Sequence, residues 1–114
     1  MNELTLQPPI PDLALILPMV RIAGFCRDWQ IQALYVFGSI LRDDFDESSD
    51  IDFVYKLLPN TSWSFSDLLC AEQALSVIVG RAVDLVSQNS IERDRNWLRR
   101  ESILGSMKLV YVTQ

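Results

Sequence analysis

Three aspartates in this chain are placed so that they could do chemistry together. Asp50 and Asp52 occupy alternate positions in "SDIDFVYKLL", and Asp84 sits in the middle of "AVDLV". Side chains alternate across a strand, so Asp50 and Asp52 should project from one face while Ile51 and Phe53 point to the other. Two carboxylates held side by side repel unless a proton or a cation intervenes. A divalent ion resolves the conflict, and Mg²⁺ in particular takes a few carboxylates together with water and phosphate oxygens. Asp84 is flanked by Ala82, Val83, Leu85 and Val86, where an unpaired buried charge would be costly. If its strand lies beside that of Asp50 and Asp52, three carboxylates converge. That is enough for a two-metal clamp on the attacking and leaving oxygens of a phosphoryl-type transfer. The plainer readings are a solvated strand end for Asp50 and Asp52 and a buried ion pair with an arginine for Asp84.

Gly38-Ser39 supplies a complementary half. A glycine at a strand end lets a phosphate approach the backbone, and the N–H groups opening the next turn, with the serine hydroxyl, can hold its oxygens. Arg42, one turn on, could reach the same anion with a planar fork of donors. Ser39 could equally cap the following turn, which is compatible with a phosphate role. Metal-binding acids and a phosphate-binding turn on consecutive strands make the layout of a nucleoside-triphosphate site.

Gly38-Ser39, ten intervening residues and then Asp50-Ile51-Asp52 resemble the GS-x10-DxD signature of the DNA polymerase β-like nucleotidyltransferases. The surrounding "LYVFGSILRDDFDESSDIDFVY", the later "GRAVDLV" and the ending "WLRRESILGSMKLVYV" are similar to the minimal nucleotidyltransferases, MNT proteins paired with HEPN-domain toxins. The resemblance implies a polymerase β-like fold in which Gly38 and Ser39 grip the triphosphate of ATP. It implies two Mg²⁺ ions on Asp50 and Asp52, with Asp84 completing the metal site and helping to deprotonate an acceptor hydroxyl. It further implies transfer of AMP, with loss of pyrophosphate, to a tyrosine of a partner HEPN RNase. The chain would then be the antitoxin of a type VII-like pair in a hetero-oligomer. Two other functions stand beside this one: nucleotidyl transfer to a small hydroxyl compound, and a non-catalytic antitoxin that occludes its toxin. The chain also departs from many members of the family, with Leu41 before Arg42 and Asp43 after it.

The elements that must position these groups follow from periodicity. Residues 1–11, with Pro8, Pro9 and Pro11, read as an irregular lead-in, and Asp12 could cap a short helix to Leu17. Pro18 suits the first turn of a helix over Met19 to Asp28. "ALYVF" (Ala33 to Phe37) and "DIDFVYKLL" (Asp50 to Leu58) read as strands separated by a helical turn and an acidic loop. Apolar residues recur at helical spacing from Ser64 or Ser66 to Gly80, a residue suited to end a helix. Ala82 to Val86 is a third strand, Asp94 to Leu104 a helix, and Lys108 to Val112 a last strand. The order predicts an α+β domain, a mixed β-sheet flanked by helices. A single domain over 1–114 accounts for the length.

Composition bounds the rest. A net charge of −5 argues against general nucleic-acid binding. The absence of histidine removes His-based nucleophilic catalysis and His-ligated zinc. The acids Asp43, Asp44, Asp46 and Glu47 read as a solvated loop. A calcium loop counted from Asp44 fails, with Ser49 at the glycine position and Tyr55 at the glutamate position. Arg93, Arg95, Arg99 and Arg100 read as an exposed helix face, and Trp29, Trp63 and Trp97 as packing residues. Cys26 and Cys70, both in apolar surroundings without a disulfide pattern, point to a reduced compartment. With neither a basic leader nor a long apolar run, no membrane span is expected and the cytoplasm is the expected location.

Overall fold

The computed structural model describes residues 17–42, 45–46 and 48–113. The proposed lead-in, the Asp12 cap, and the loop acids Asp43, Asp44 and Glu47 lie outside the described residues. Helix α1 (Met19–Asp28) is followed by strand β1 (Ile31–Phe37), a 3₁₀ turn (Gly38–Leu41), β2 (Ile51–Leu57), α2 (Phe65–Val79) and β3 (Val83–Ser87). The short α3 (Gln88–Glu92), α4 (Trp97–Ser106) and β4 (Lys108–Val112) complete the order. The sheet runs β3-β2-β1-β4. The pairs β1/β2 and β1/β4 are antiparallel, whereas β2/β3 is parallel, so the sheet is mixed.

Local chemistry explains most of the boundaries. Ser64 caps α2 reciprocally: its hydroxyl accepts from the Asp67 N–H at 3.0 Å, and the Asp67 carboxylate accepts from the Ser64 N–H at 2.8 Å. Gly80, with φ +78°, ends that helix in the left-handed conformation glycine adopts without penalty. α4 starts later than the apolar pattern suggests, because the Asn96 side chain accepts from the Arg99 N–H at 3.2 Å and caps it. Its expected first residue, Asp94, instead accepts from the Asn96 N–H at 2.9 Å in the preceding turn.

One face of the sheet carries the main core. Ile51, Phe53 and Tyr55 of β2, Leu34 and Val36 of β1, and Val83 and Leu85 of β3 pack with Ile22, Ala23, Phe25 and Cys26 of α1 and with Ala71 and Leu75 of α2. Leu17, Ile22, Phe53 and Leu75 are among the largest side chains fully withdrawn from water. Alternation places Asp52 and Val54 on the opposite face of β2, and Asp84 and Val86 on that of β3. There the short α3, with buried Ile91, packs against β2 and β3, and Val54 is fully buried. The entry to the strands on this face stays open to solvent. Of the thiols, Cys26 is buried as expected but Cys70 is exposed on the outer face of α2.

Candidate active site

The aspartates meet because β2 and β3 run parallel in a register that sets Asp52 opposite Asp84. Adjacent strands lie roughly 4.8 Å apart, so the two carboxyl groups come within hydrogen-bonding reach of each other. Asp52 is half-buried, whereas Asp84 and Asp50 are exposed. Burial pushes the Asp52 carboxyl up first; the negative charges of Asp84 and Asp50 and the hydrogen bond with Asp84 add to the rise, and Arg42 opposes it. The expected cost of a buried Asp84 does not arise, because the open face leaves it in water. Nor does it form an ion pair with an arginine: among the described residues the ion pairs are Arg99–Asp94 at 3.9 Å and Arg100–Glu101 at 3.8 Å.

Asp50 stands one step before β2, and its charge is felt by Asp52. Among the described residues, however, no group of three carboxylates or thiols is drawn together tightly enough to hold an ion as the side chains stand. The structure therefore brings two of the three acids into direct contact and holds the third nearby. The donor chemistry fits a divalent cation at the pair: hard carboxylate oxygens, one with a raised pKa, sharing a position a cation would take from a proton.

Gly38 is shaped by the same carboxylate. It has φ +79°, and a Cβ built on it would lie 2.5 Å from Asp52 Oδ2. Only glycine permits both that backbone and that approach. Phe37, its neighbour, pairs with Asp52 across β1/β2, so the Gly-Ser turn and the acid pair are fixed by one ladder. Ser39 Oγ donates to the Asp50 carbonyl oxygen at 3.5 Å, joining the turn to the start of β2. Arg42 is exposed immediately after the turn.

Beside this turn opens a crevice of about 690 Å³, lined by Phe37, Gly38, Leu41 and Arg42 on one side and by Arg99, Ser102, Ile103, Ser106 and Lys108 on the other. Arg99 thus belongs to the rim of a cavity as well as to an exposed helix face. Lys108 was not singled out in the sequence. The signal for both is thin: "WLRRESILGSMK" shows basic and hydroxyl residues, but only the docking of α4 beside the turn and the pairing of Lys108 in β4 with Val36 of β1 put them opposite Arg42.

Two tryptophans do pack, as expected. Trp63 stacks on Tyr55 with ring centres 4.6 Å apart, meets Trp29 edge-on at 5.7 Å, and donates its indole N–H to the Trp29 carbonyl at 3.3 Å. Trp97 does not, being 60% exposed on α4.

Residues 21–110 match the model of the nucleotidyltransferase domain family. The chain belongs to that family. A Methanocaldococcus jannaschii protein, provisionally named a protein adenylyltransferase, is 35% identical over 63 residues, 55% of this chain and 63% of the relative. The matched stretch thus spans just under two thirds of that relative. Among solved structures, a chain of a toxin-antitoxin complex with AMP-PNP superposes with a TM-score of 0.66 at 23% identity, covering 86% of this chain and 76% of that one. A chain from the complex of a tri-AMPylated Shewanella oneidensis HEPN toxin with its MNT antitoxin gives 0.57 at 22%, over 84% and 71%. A protein provisionally described as a minimal nucleotidyltransferase gives 0.60 at 25%, over 78% and 85%. These likenesses show a shared fold, the α+β architecture the sequence implied. No helix among the described residues is long and apolar enough to cross a membrane.

Proposed function

We propose that this chain is a Mg²⁺-dependent nucleotidyltransferase that moves AMP from ATP to a tyrosine hydroxyl of a HEPN-domain RNase, silencing it as an antitoxin. The observation that carries this reading is the parallel register that sets Asp84 against Asp52, with Gly38 pressed on the Asp52 carboxylate. The family match supports the reaction class. The toxin-antitoxin complexes that share the fold support the partner class.

In this reading Asp50, Asp52 and Asp84 hold two Mg²⁺ ions. Bound there, Mg²⁺ supplies positive charge to the α-phosphate and to the departing pyrophosphate. The Gly38-Ser39 turn holds the triphosphate by backbone N–H groups and the Ser39 hydroxyl, and Arg42, Arg99 and Lys108 around the adjoining crevice take the β- and γ-phosphates. The acceptor oxygen attacks the α-phosphorus, the bond from that phosphorus to the bridging oxygen breaks, and pyrophosphate leaves. Asp84 accepts the acceptor's proton, a role its exposure to the open face allows. That open face lets a side chain of another protein reach the reacting phosphorus.

Intact-protein mass spectrometry of the chain with a HEPN partner, ATP and Mg²⁺ tests the proposal. An AMP-sized gain on the partner, lost in an Asp50→Ala/Asp52→Ala double variant, is the expected result. A stable complex with no gain would instead establish an occluding antitoxin.

A further inference from the structure

Arg81 lies in the turn between α2 and β3, three residues before Asp84. Its Nη1 donates to the carbonyl oxygens of Asp46 at 2.7 Å and of Ser49 at 3.0 Å. The guanidinium also lies over the ring of Phe45, 4.6 Å from its centre, a cation–π contact that orients the group. Its own carbonyl accepts from Ser76 Oγ at 2.8 Å, which fastens the turn to the end of α2. The next residue continues the tie, because the Ala82 carbonyl accepts from the Ile51 N–H at 3.1 Å.

Asp50 is thereby bracketed. The residue before it, Ser49, is held through its carbonyl by Arg81, and the residue after it, Ile51, is held through its N–H by Ala82. Both anchors come from one dipeptide at the base of the strand that carries Asp84. The guanidinium also brings a positive charge to the base of the acidic segment entering Asp50, where it offsets like-charge repulsion. The Asp46 carboxylate is occupied within the loop, accepting from the Ser48 N–H at 2.9 Å, Ser48 Oγ at 2.8 Å and Ser49 Oγ at 3.2 Å. Arg81 consequently grips the backbone of the loop.

We infer that Arg81 is a positioning residue: by bridging the acidic loop to the base of β3 it fixes Asp50 relative to Asp52 and Asp84, and so sets the affinity of the site for divalent metal. This rests on the metal-dependent reading above. Outer residues that orient metal ligands are worth about 10- to 100-fold in metal affinity when removed.

The test is Mn²⁺ binding by calorimetry in the presence of a non-hydrolysable ATP analogue, with wild type, Arg81→Ala, Arg81→Lys and the control Arg93→Ala. Wherever transfer is measurable, Mg²⁺ and ATP half-saturation are followed as well. The expected result is roughly 10-fold weaker metal binding in Arg81→Ala, with the ATP half-saturation at saturating metal and kcat within about 3-fold of wild type. Arg81→Lys keeps the charge but loses the reach and the planar stack on Phe45, so it should fall between the two, and Arg93→Ala should match wild type. Should Arg81→Ala fail to fold, at least about twofold weaker metal binding in Arg81→Lys would carry the inference. Unchanged metal affinity in the folded Arg81 variants, a rise in ATP half-saturation alone, or an equal loss in Arg93→Ala would overturn it. Wild type that binds metal but transfers nothing would defeat the transferase reading and not the role of Arg81, which the metal affinities alone decide.

Discussion

The two ends of β2 are built on opposite principles. At its entry, Asp52 faces Asp84 across the ladder with Asp50 just upstream, like charges set close together on an open face. At its exit, Tyr55 stacks on Trp63, which in turn meets Trp29 and caps its carbonyl. The aromatic end lowers the free energy of the folded chain by burial and ring packing. The acidic end raises it, since repulsion and partial desolvation oppose two ionised carboxylates. A strand can carry such a strained end because its other end and its core face hold it in register; stability and chemistry are separated along seven residues, Ile51 to Leu57.

The contrast is broken most directly at the acids. Asp52→Ala or Asp84→Ala should reduce AMP transfer by at least about 1,000-fold, as expected when a charge-stabilising group in the site is lost, while the melting temperature of the metal-free protein holds or rises. Transfer at the wild-type rate by either variant would remove the site assignment. The mirror experiment is Trp63→Ala, which should cost about 3 kcal/mol of stability yet leave the rate per folded molecule unchanged. A large fall in that rate would show the two ends to be coupled.

Gly38→Ala should affect both properties. The left-handed φ and the 2.5 Å approach to Asp52 Oδ2 would impose roughly 1–3 kcal/mol of strain and displace the carboxylate. Chemical denaturation and transfer assays on the same sample should both report it. Ser39→Ala is milder: loss of one hydroxyl contact to phosphate, worth about 1 kcal/mol, should raise the ATP half-saturation about fivefold and leave metal binding nearly unchanged.

The smallest effect is in pH. The folded pKa of Asp52 is raised above its unfolded value, so the fold favours its protonated form. That contribution to stability is fully present below the unfolded pKa and disappears as pH rises through the folded one. Metal-free protein should therefore lose some stability as pH climbs through and just above the usual carboxylate range. Asp52→Asn should flatten the slope, and saturating Mg²⁺ should oppose it by binding the ionised pair. A metal-free pH profile identical in wild type and Asp52→Asn would contradict the raised pKa.

Most elements were legible because local patterns encode them. β1 nevertheless begins at Ile31, two residues before the apolar run, since Gln30 with φ +60° turns the chain directly into it. The five-residue α3 is too short to show a period. Asp84 was expected among buried neighbours, but a strand buries only the side chains of its covered face, and alternation put Asp84 on the other. Trp29 and Trp63, 34 residues apart, gave no sign of meeting.

The sequence by itself determined which groups are available and how they are spaced: Gly38-Ser39, the two acids at alternate positions, a third acid in a strand, and no histidine to share the work. Spacing within one element is a property of its backbone geometry, so these features could be read without knowing the fold. Only the tertiary structure decided that β3 would lie parallel to β2 with Asp84 level with Asp52, that α4 and β4 would set Arg99 and Lys108 opposite Arg42, and that Arg81 would reach across to the acidic loop. Those arrangements depend on which faces bury together and on closing long loops between distant segments, free energies that belong to the whole packed chain.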